Sequence, residues 1–108
     1  MNFDRELPFQ HEDNRIWLED ESGRVIASCD FPSEGGRLVN ITHTFVDDSL
    51  RGQGIASRLM RETVETIRKS DRRALVTCSY AQSWFSSHTE YLFLLVSPEE
   101  AEEARHSI

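Results

Sequence analysis

The feature that most constrains this chain is a change of apolar period across one short glycine-containing segment, Arg51-Gly52-Gln53-Gly54-Ile55-Ala56. Before it, residues 37–46 alternate as a strand does, with Val39, Ile41, His43 and Phe45 on one side and Leu38, Asn40, Thr42 and Thr44 on the other. After it, Ile55, Leu59, Met60, Val64 and Ile67 recur at helical spacing and predict a helix running to about Lys69. A strand that enters a helix through glycines leaves the first N–H groups of the helix without intrahelical partners, and the helix dipole adds positive potential there. Gly52 and Gly54 permit close backbone approach, Ala56 keeps the first turn small, and Arg51 brings a cation, a combination that suits a pyrophosphate. The spacing fits neither the dinucleotide fingerprint nor the nucleoside-triphosphate loop. On the turn alone, a plain helix entry with incidental glycines stays open.

Residues 14–20, with Ile16 and Leu18, and residues 24–31, with Val25, Ala27, Cys29 and Phe31, read as strands joined by a turn at Ser22-Gly23. Residues 32–36 form a turn cluster leading into the third strand, 37–46, so the three predict an antiparallel meander. Residues 73–77, with Ala74-Leu75-Val76 buried, are a short strand expected to run parallel to the third, because a long helix intervenes. Residues 79–87 resemble a second helix, and 92–96 fit either a strand or a buried helix. Ser97-Pro98-Glu99-Glu100 has the form of a capping box that opens a short acidic helix over about 98–106. The expected fold class is α+β in the order β-β-β-α-β-α: a mixed, mostly antiparallel sheet with the long helix packed on it. It forms one domain over 1–108 whose core lies at about 14–96.

At 108 residues and 38% apolar content the chain can bury one core without staples. Its net charge of −7 argues against a nucleic-acid partner, which needs a basic face. Residues 51–73 nevertheless carry +4, leaving −11 elsewhere, so an anionic ligand finds local basic charge while the remaining surface favours a cationic partner. No apolar run approaches the roughly 18 residues of a membrane span, and Met1-Asn2-Phe3-Asp4-Arg5-Glu6 lacks a leader pattern, which points to the cytoplasm. Cys29 and Cys78 lack a CxxC spacing and read as free thiols; no metal is expected.

The segment Arg51 to Ala56 is similar to the acetyl-CoA signature of the GNAT acetyltransferases: Arg or Gln, two free positions, Gly, one free position, then Gly or Ala. Arg51, Gly54 and Ala56 fill its fixed places. Thr42-His43-Thr44-Phe45-Val46 before it, and Cys78-Ser79-Tyr80 and His88-Thr89-Glu90-Tyr91 after it, resemble a minimal GNAT-like (YjdJ-type) subfamily. Members of that subfamily show a histidine-containing strand, the glycine turn, a cysteine with Tyr or Phe two places on, and a His-Pro-Glu-Tyr segment. The resemblance runs over about 14–96, and Thr89 stands where the subfamily has proline.

The resemblance implies a compact GNAT-like fold whose third and last strands splay to admit a pantetheine arm, with acetyl-CoA as cosubstrate and an amine as acetyl acceptor. Phe45 and Val46 would hold the arm. Arg51, Gly52, Gln53, Gly54, Ile55 and Ala56 would hold the pyrophosphate, and Ser79 and Tyr80 complete the cofactor site.

Cys78 and His43 are the candidate catalytic residues. Cys78 ends a strand and precedes a helix, where a thiol gains nucleophilicity; it reads as an acyl-accepting nucleophile, a group lining the thioester pocket, or a small buried hydrophobe. His43 fits a general base or a core histidine bonded to backbone. Tyr80 donates to the departing thiolate or simply packs, His88 and Tyr91 organise a loop, and Cys29 reads as buried. The first predicted strand begins near Asn14, so the resemblance implies an open acceptor site suited to a protein, peptide or polyamine, and the acidic charge favours a cationic one. Two alternatives are a non-catalytic acyl-CoA binding or sensing module and a small interaction protein with no ligand.

Overall fold

The computed structural model describes residues 8–106; the segment 1–7, on which the expectation about a leader falls, lies outside the described residues. In chain order the strands are Gln10–Glu12 (β1), Arg15–Glu19 (β2), Val25–Asp30 (β3), Ser33–Gly35 (β4), Leu38–Ile41 (β5), His43–Val46 (β6) and Arg73–Val76 (β7). The helices are Ile55–Lys69 (α1), Ser79–Ser87 (α2) and Pro98–His106 (α3), with 3₁₀ turns at Asp48–Leu50 and Thr89–Leu94. β1, β2, β3 and β6 form one antiparallel sheet in that order. In the second sheet β5 lies between β4, antiparallel to it, and β7, parallel to it. The architecture is the expected α+β class, with α1 as the crossover between β6 and β7.

The apolar stripe of α1 is the main closure of the core. Ile55, Leu59, Met60, Val64 and Ile67 are each at most 1% exposed and meet Ile16, Ala27, Cys29, Phe31, Val39 and Ile41 from the two sheets. Burying each such aliphatic side chain stabilises the fold by roughly 1.5–3 kcal/mol. Thr63, a polar residue inside that stripe, is fully buried and donates from its hydroxyl to the Leu59 carbonyl at 2.9 Å, so no polar group is stranded. The capping box before α3 closes reciprocally: the Ser97 N–H donates to Glu100 Oε1 at 3.0 Å and the Glu100 N–H donates to Ser97 Oγ at 3.1 Å.

Three features depart from the sequence-based expectation. β1 is an added strand, exposed along its length. β4 lies inside what reads as a turn cluster, and its pairing with β5 shifts register between Ser33 and Gly35. The expected third strand is divided at Thr42, so that β5 belongs to the sheet of β7 and β6 to the sheet of β3. Core-facing residues pass from Val39 and Ile41 in β5 to Thr44 and Val46 in β6, a parity change of one residue. Residues 92–96 resolve into the end of a 3₁₀ turn, with Leu94 buried, followed by one parallel bridge from Leu95 to Ala74.

The division at Thr42 is what parts the sheets. The Ile41 carbonyl accepts the N–H groups of both Thr77 and Cys78, at 3.1 Å each, and pairing between the two halves of the molecule ends there. β6 continues as the edge of its own sheet, leaving a splay between it and the start of α2.

Candidate functional site

The turn between β6 and α1 owes its shape to two glycines in the left-handed region, Gly52 at φ 82° and Gly54 at φ 73°. Gly54 is the N-cap of α1, and its carbonyl accepts the Arg58 N–H at 3.2 Å. The N–H groups of Ile55, Ala56 and Ser57 therefore have no acceptor within the helix and face outward from its positive end. No protein atom lies within 4 Å of a Cβ built at either glycine, so the need for glycine comes from φ and the turn is open to a ligand.

This turn opens onto a cavity of about 230 Å³ walled by Val46 from β6, by Arg51, Gly52, Gly54, Ile55 and Ala56, and by Tyr80 from α2. Asp47, Leu50 and Ser57, which the sequence reading does not single out, line it too. Gln53 donates from its amide to the Ser49 carbonyl at 3.3 Å, and Gln53, Phe45 and Ser79 stand outside the wall. The Arg51 guanidinium donates to Asp48 Oδ1 at 2.6 Å with both side chains more than 80% exposed, a pairing weak enough to exchange for a stronger anion. A larger cavity of about 580 Å³, walled by Arg37, Arg73, Glu100 and Glu103, shares no residue with the turn.

Cys78 occupies the N-cap of α2, at the splay. Its thiol donates to Thr44 Oγ1 at 3.5 Å, and the same oxygen lies 3.9 Å from Met60 Sδ and 4.0 Å from Cys29 Sγ. Partial burial pushes the Cys78 thiol up, but the Thr44 hydroxyl and the N–H groups of Ala81, Tyr80 and Thr44 together outweigh it and leave the thiol below its ordinary value. The neutral thiol makes no capping hydrogen bond; the first-turn N–H groups act on the charge that forms. Cys29, fully buried, is pushed up to about 11, chiefly by desolvation. Burial also raises the Tyr80 phenol, with the Cys78 charge adding to it.

His43 corrects an expectation. Its strand neighbours Val39 and Ile41 are buried, yet His43 is exposed and stands opposite Asp30 in the β3–β6 register, because the parity change at Thr42 turns it and Phe45 off the core-facing side. Among the described residues no hydrogen bond or ion pair joins His43 to Cys78.

The loop after α2 is held by stacking. The His88 ring lies on Trp84 with centroids 4.0 Å apart and planes at 9°, its Nδ1 is 2.8 Å from the Trp84 carbonyl, and Tyr91 stacks on Trp84 at 5.6 Å. Trp84 Nε1 donates to Ser57 Oγ at 3.0 Å, tying this aromatic group to the first turn of α1. Thr89 is the first residue of a 3₁₀ turn, a position that accepts proline without loss of a helical hydrogen bond. Among the described residues no helix is long and apolar enough to cross a membrane, and no three His, Cys, Asp or Glu side chains gather as a metal would need.

The fold resembles that of several solved proteins. The NMR solution structure of a GCN5-like protein from Staphylococcus aureus superposes with a TM-score of 0.69 at 24% identity, over 84% of this chain and 89% of that one. The GNAT family N-acetyltransferase YhbS from Escherichia coli, solved in complex with CoA, superposes with a TM-score of 0.51 at 24% identity, over 57% of this chain and 38% of that one. Among curated relatives, Protein NATD1 of Bos taurus is 42% identical over 50 residues, which are 46% of this chain and 44% of that protein. Protein NATD1 of Homo sapiens is 38% identical over 50 residues, with the same coverage. The matched segment thus spans less than half the length of these relatives. The family model for GCN5-related N-acetyl-transferases matches residues 15–94, taking in β2 to β7, the glycine turn, Cys78 and the stacked loop, and on that match the chain belongs to the GCN5-related N-acetyltransferase family.

Proposed function

We propose that this protein is an acetyl-CoA-dependent N-acetyltransferase of the minimal GNAT-like (YjdJ-type) kind, a single-domain enzyme that moves an acetyl group from the thioester to an amine. The observation that carries this reading is that Val46, the glycine turn, the N-terminus of α1 and Tyr80 share one cavity beside the splay that begins after Ile41. The pyrophosphate would lie on the unpaired N–H groups of Ile55, Ala56 and Ser57, with Arg51 leaving Asp48 for a phosphate oxygen and Gln53 at the rim. β6 is an edge strand, so the backbone at Phe45 and Val46 has hydrogen-bonding capacity for a pantetheine arm, which Ser79 and Tyr80 would flank. That YhbS was solved with CoA supports the choice of ligand.

The thioester would then sit near Cys78, and two routes follow. In direct transfer the amine nitrogen attacks the carbonyl carbon, the C–S bond to CoA breaks, and the ammonium proton passes to water, because His43 faces away from Cys78 across β6. In the covalent route the Cys78 thiolate attacks first, forming an S-acetyl bond as CoA leaves and takes up a proton; the amine then attacks the acetyl-cysteine and regenerates the thiol. Acetylation of Cys78 seen by mass spectrometry in a single turnover selects the second route. The net charge of −7, with the basic residues gathered in and after α1, favours a cationic protein, peptide or polyamine as acceptor. Two free thiols suit a reducing compartment, and the cytoplasm is the proposed location.

The test is thermal stabilisation by acetyl-CoA together with CoA release over a panel of amines. Stabilisation with release on a cationic amine is the expected result. Stabilisation without release over the whole panel would leave a binding or sensing module, and no stabilisation would overturn the cofactor assignment.

A further inference from the structure

We propose that Thr44 is a positioning residue for Cys78, a hydroxyl rotor that accepts from the thiol and turns to donate to the thiolate. The inference rests on the acetyl-transfer reading only in that Cys78 is taken to face the thioester.

Thr44 reaches this place through the parity change at Thr42. With unbroken alternation from Val39 and Ile41, His43 and Phe45 would face inward; instead Thr44 stands beside Cys29 on the core-facing side, across the splay from Cys78. Its hydroxyl has three sulfur neighbours and one proton to give: Cys78 Sγ at 3.5 Å, Met60 Sδ at 3.9 Å and Cys29 Sγ at 4.0 Å. While Cys78 is a thiol, its S–H donates to Thr44 Oγ1 and the Thr44 O–H is left for Met60 or Cys29, both weak acceptors at long range. When Cys78 loses its proton, the strongest acceptor in reach becomes the thiolate. The O–H then turns to it, giving up only a weak sulfur contact for a charge-assisted bond. Nothing else in the site has to move. The β-branched side chain restricts χ1, so the oxygen stays in place while the proton swings.

The titratable groups facing this pair are Tyr80 from α2 and Cys29 from β3, both of which stay neutral where Cys78 titrates. α1 contributes the uncharged Met60, and His43 lies on the other side of β6.

The experiment is the pH profile of Cys78 alkylation by iodoacetamide in the protein without acetyl-CoA, read by mass spectrometry of the Cys78 peptide; Cys29, at 0% exposure, is a silent internal reference. Thr44→Val keeps the shape and removes the hydroxyl, and should raise the midpoint by about one pH unit and slow alkylation about tenfold below both midpoints. Thr44→Ala should shift it the same way, which keeps the test available if the valine variant folds poorly. Thr44→Ser should restore the wild-type midpoint. An unchanged midpoint in a folded variant that lacks the hydroxyl overturns the proposal. Because acetyl-CoA is absent, the result does not depend on catalysis: a shifted midpoint in a protein that acetyl-CoA fails to stabilise would sink the proposed function and leave the role of Thr44 standing.

Discussion

The Cys78 thiol and the Thr44 hydroxyl meet at 3.5 Å across the splay, joining the head of α2 to the edge strand β6. The contact sits just past the Ile41 carbonyl, where the last backbone bonds between the two halves are made. The splay is therefore bounded by backbone at Ile41, closed on the core side by sulfur and hydroxyl groups, and open at the other end toward the glycine turn.

Gly54→Ala should damage both the fold and cofactor binding. Gly54 is the N-cap of α1 at φ 73°, and an L-residue there costs roughly 1–2 kcal/mol even though a Cβ would meet no neighbour. For a domain of this size that corresponds to a fall in Tm of about 4–8 °C per kcal/mol lost. Thermal melts with and without acetyl-CoA check it. A variant as stable as wild type would show that the φ value does not demand glycine.

Arg51→Ala should leave stability nearly unchanged and weaken acetyl-CoA binding. The Arg51–Asp48 pair is exposed on both sides, and exposed pairs contribute at most about 1 kcal/mol. A guanidinium on a phosphate is charge-assisted, so its loss should cost about tenfold in Kd, or roughly 1.4 kcal/mol. Titration calorimetry at low and high salt tests this; the wild-type advantage should shrink as salt screens the exposed charge. Equal affinities at low salt would remove Arg51 from the phosphate site.

Ser57→Ala should destabilise the fold by about 1–3 kcal/mol, because it leaves the nearly buried Trp84 Nε1 without its acceptor. Ser57 also lines the cavity, so acetyl-CoA stabilisation should fall with it. Urea denaturation followed by tryptophan fluorescence measures the first effect and thermal shift the second. A neutral result in urea would mean that water replaces the hydroxyl.

Whether an element is legible in the sequence depends on whether its pattern is local. α1 is legible because five apolar residues at helical spacing lie directly after the turn, and each is buried as the spacing demands. The capping box at Ser97 and Glu100 and the span of α2 are legible for the same reason. The division at Thr42 is not. Leu38 and Val39 are both buried, so residues 37–46 carry no sign of where the alternation slips, and the one-residue shift that exposes His43 also brings Thr44 inward. β1 has no buried face to leave an alternation, and Gly35-Gly36 disguises β4 as a turn. The roles of Thr44 and Ser57 arise from partners 34 and 27 residues away, which no local spacing encodes.

Alkaline pH should weaken the fold through Cys29. Its thiol rises from an ordinary 9.0 to about 11, because desolvation in the core penalises the thiolate. A folded-state pKa above the unfolded one means that the folded protein holds its proton more tightly, so the contribution is complete below pH 9 and is lost as pH rises through 11. The tighter hold on that proton corresponds to about 2–3 kcal/mol over that window. Cys78 has the opposite sign: its lowered value contributes stability that is lost as pH falls through its folded midpoint, so it does not cause the alkaline loss. Cys29→Ala removes the titrating group at the expense of a small core void, and should be less stable than wild type at about pH 8 yet lose less stability between pH 9 and 11. Urea denaturation across that range makes the comparison, and parallel losses in the two proteins would show that the Cys29 thiol is not what the folded state protects from ionisation.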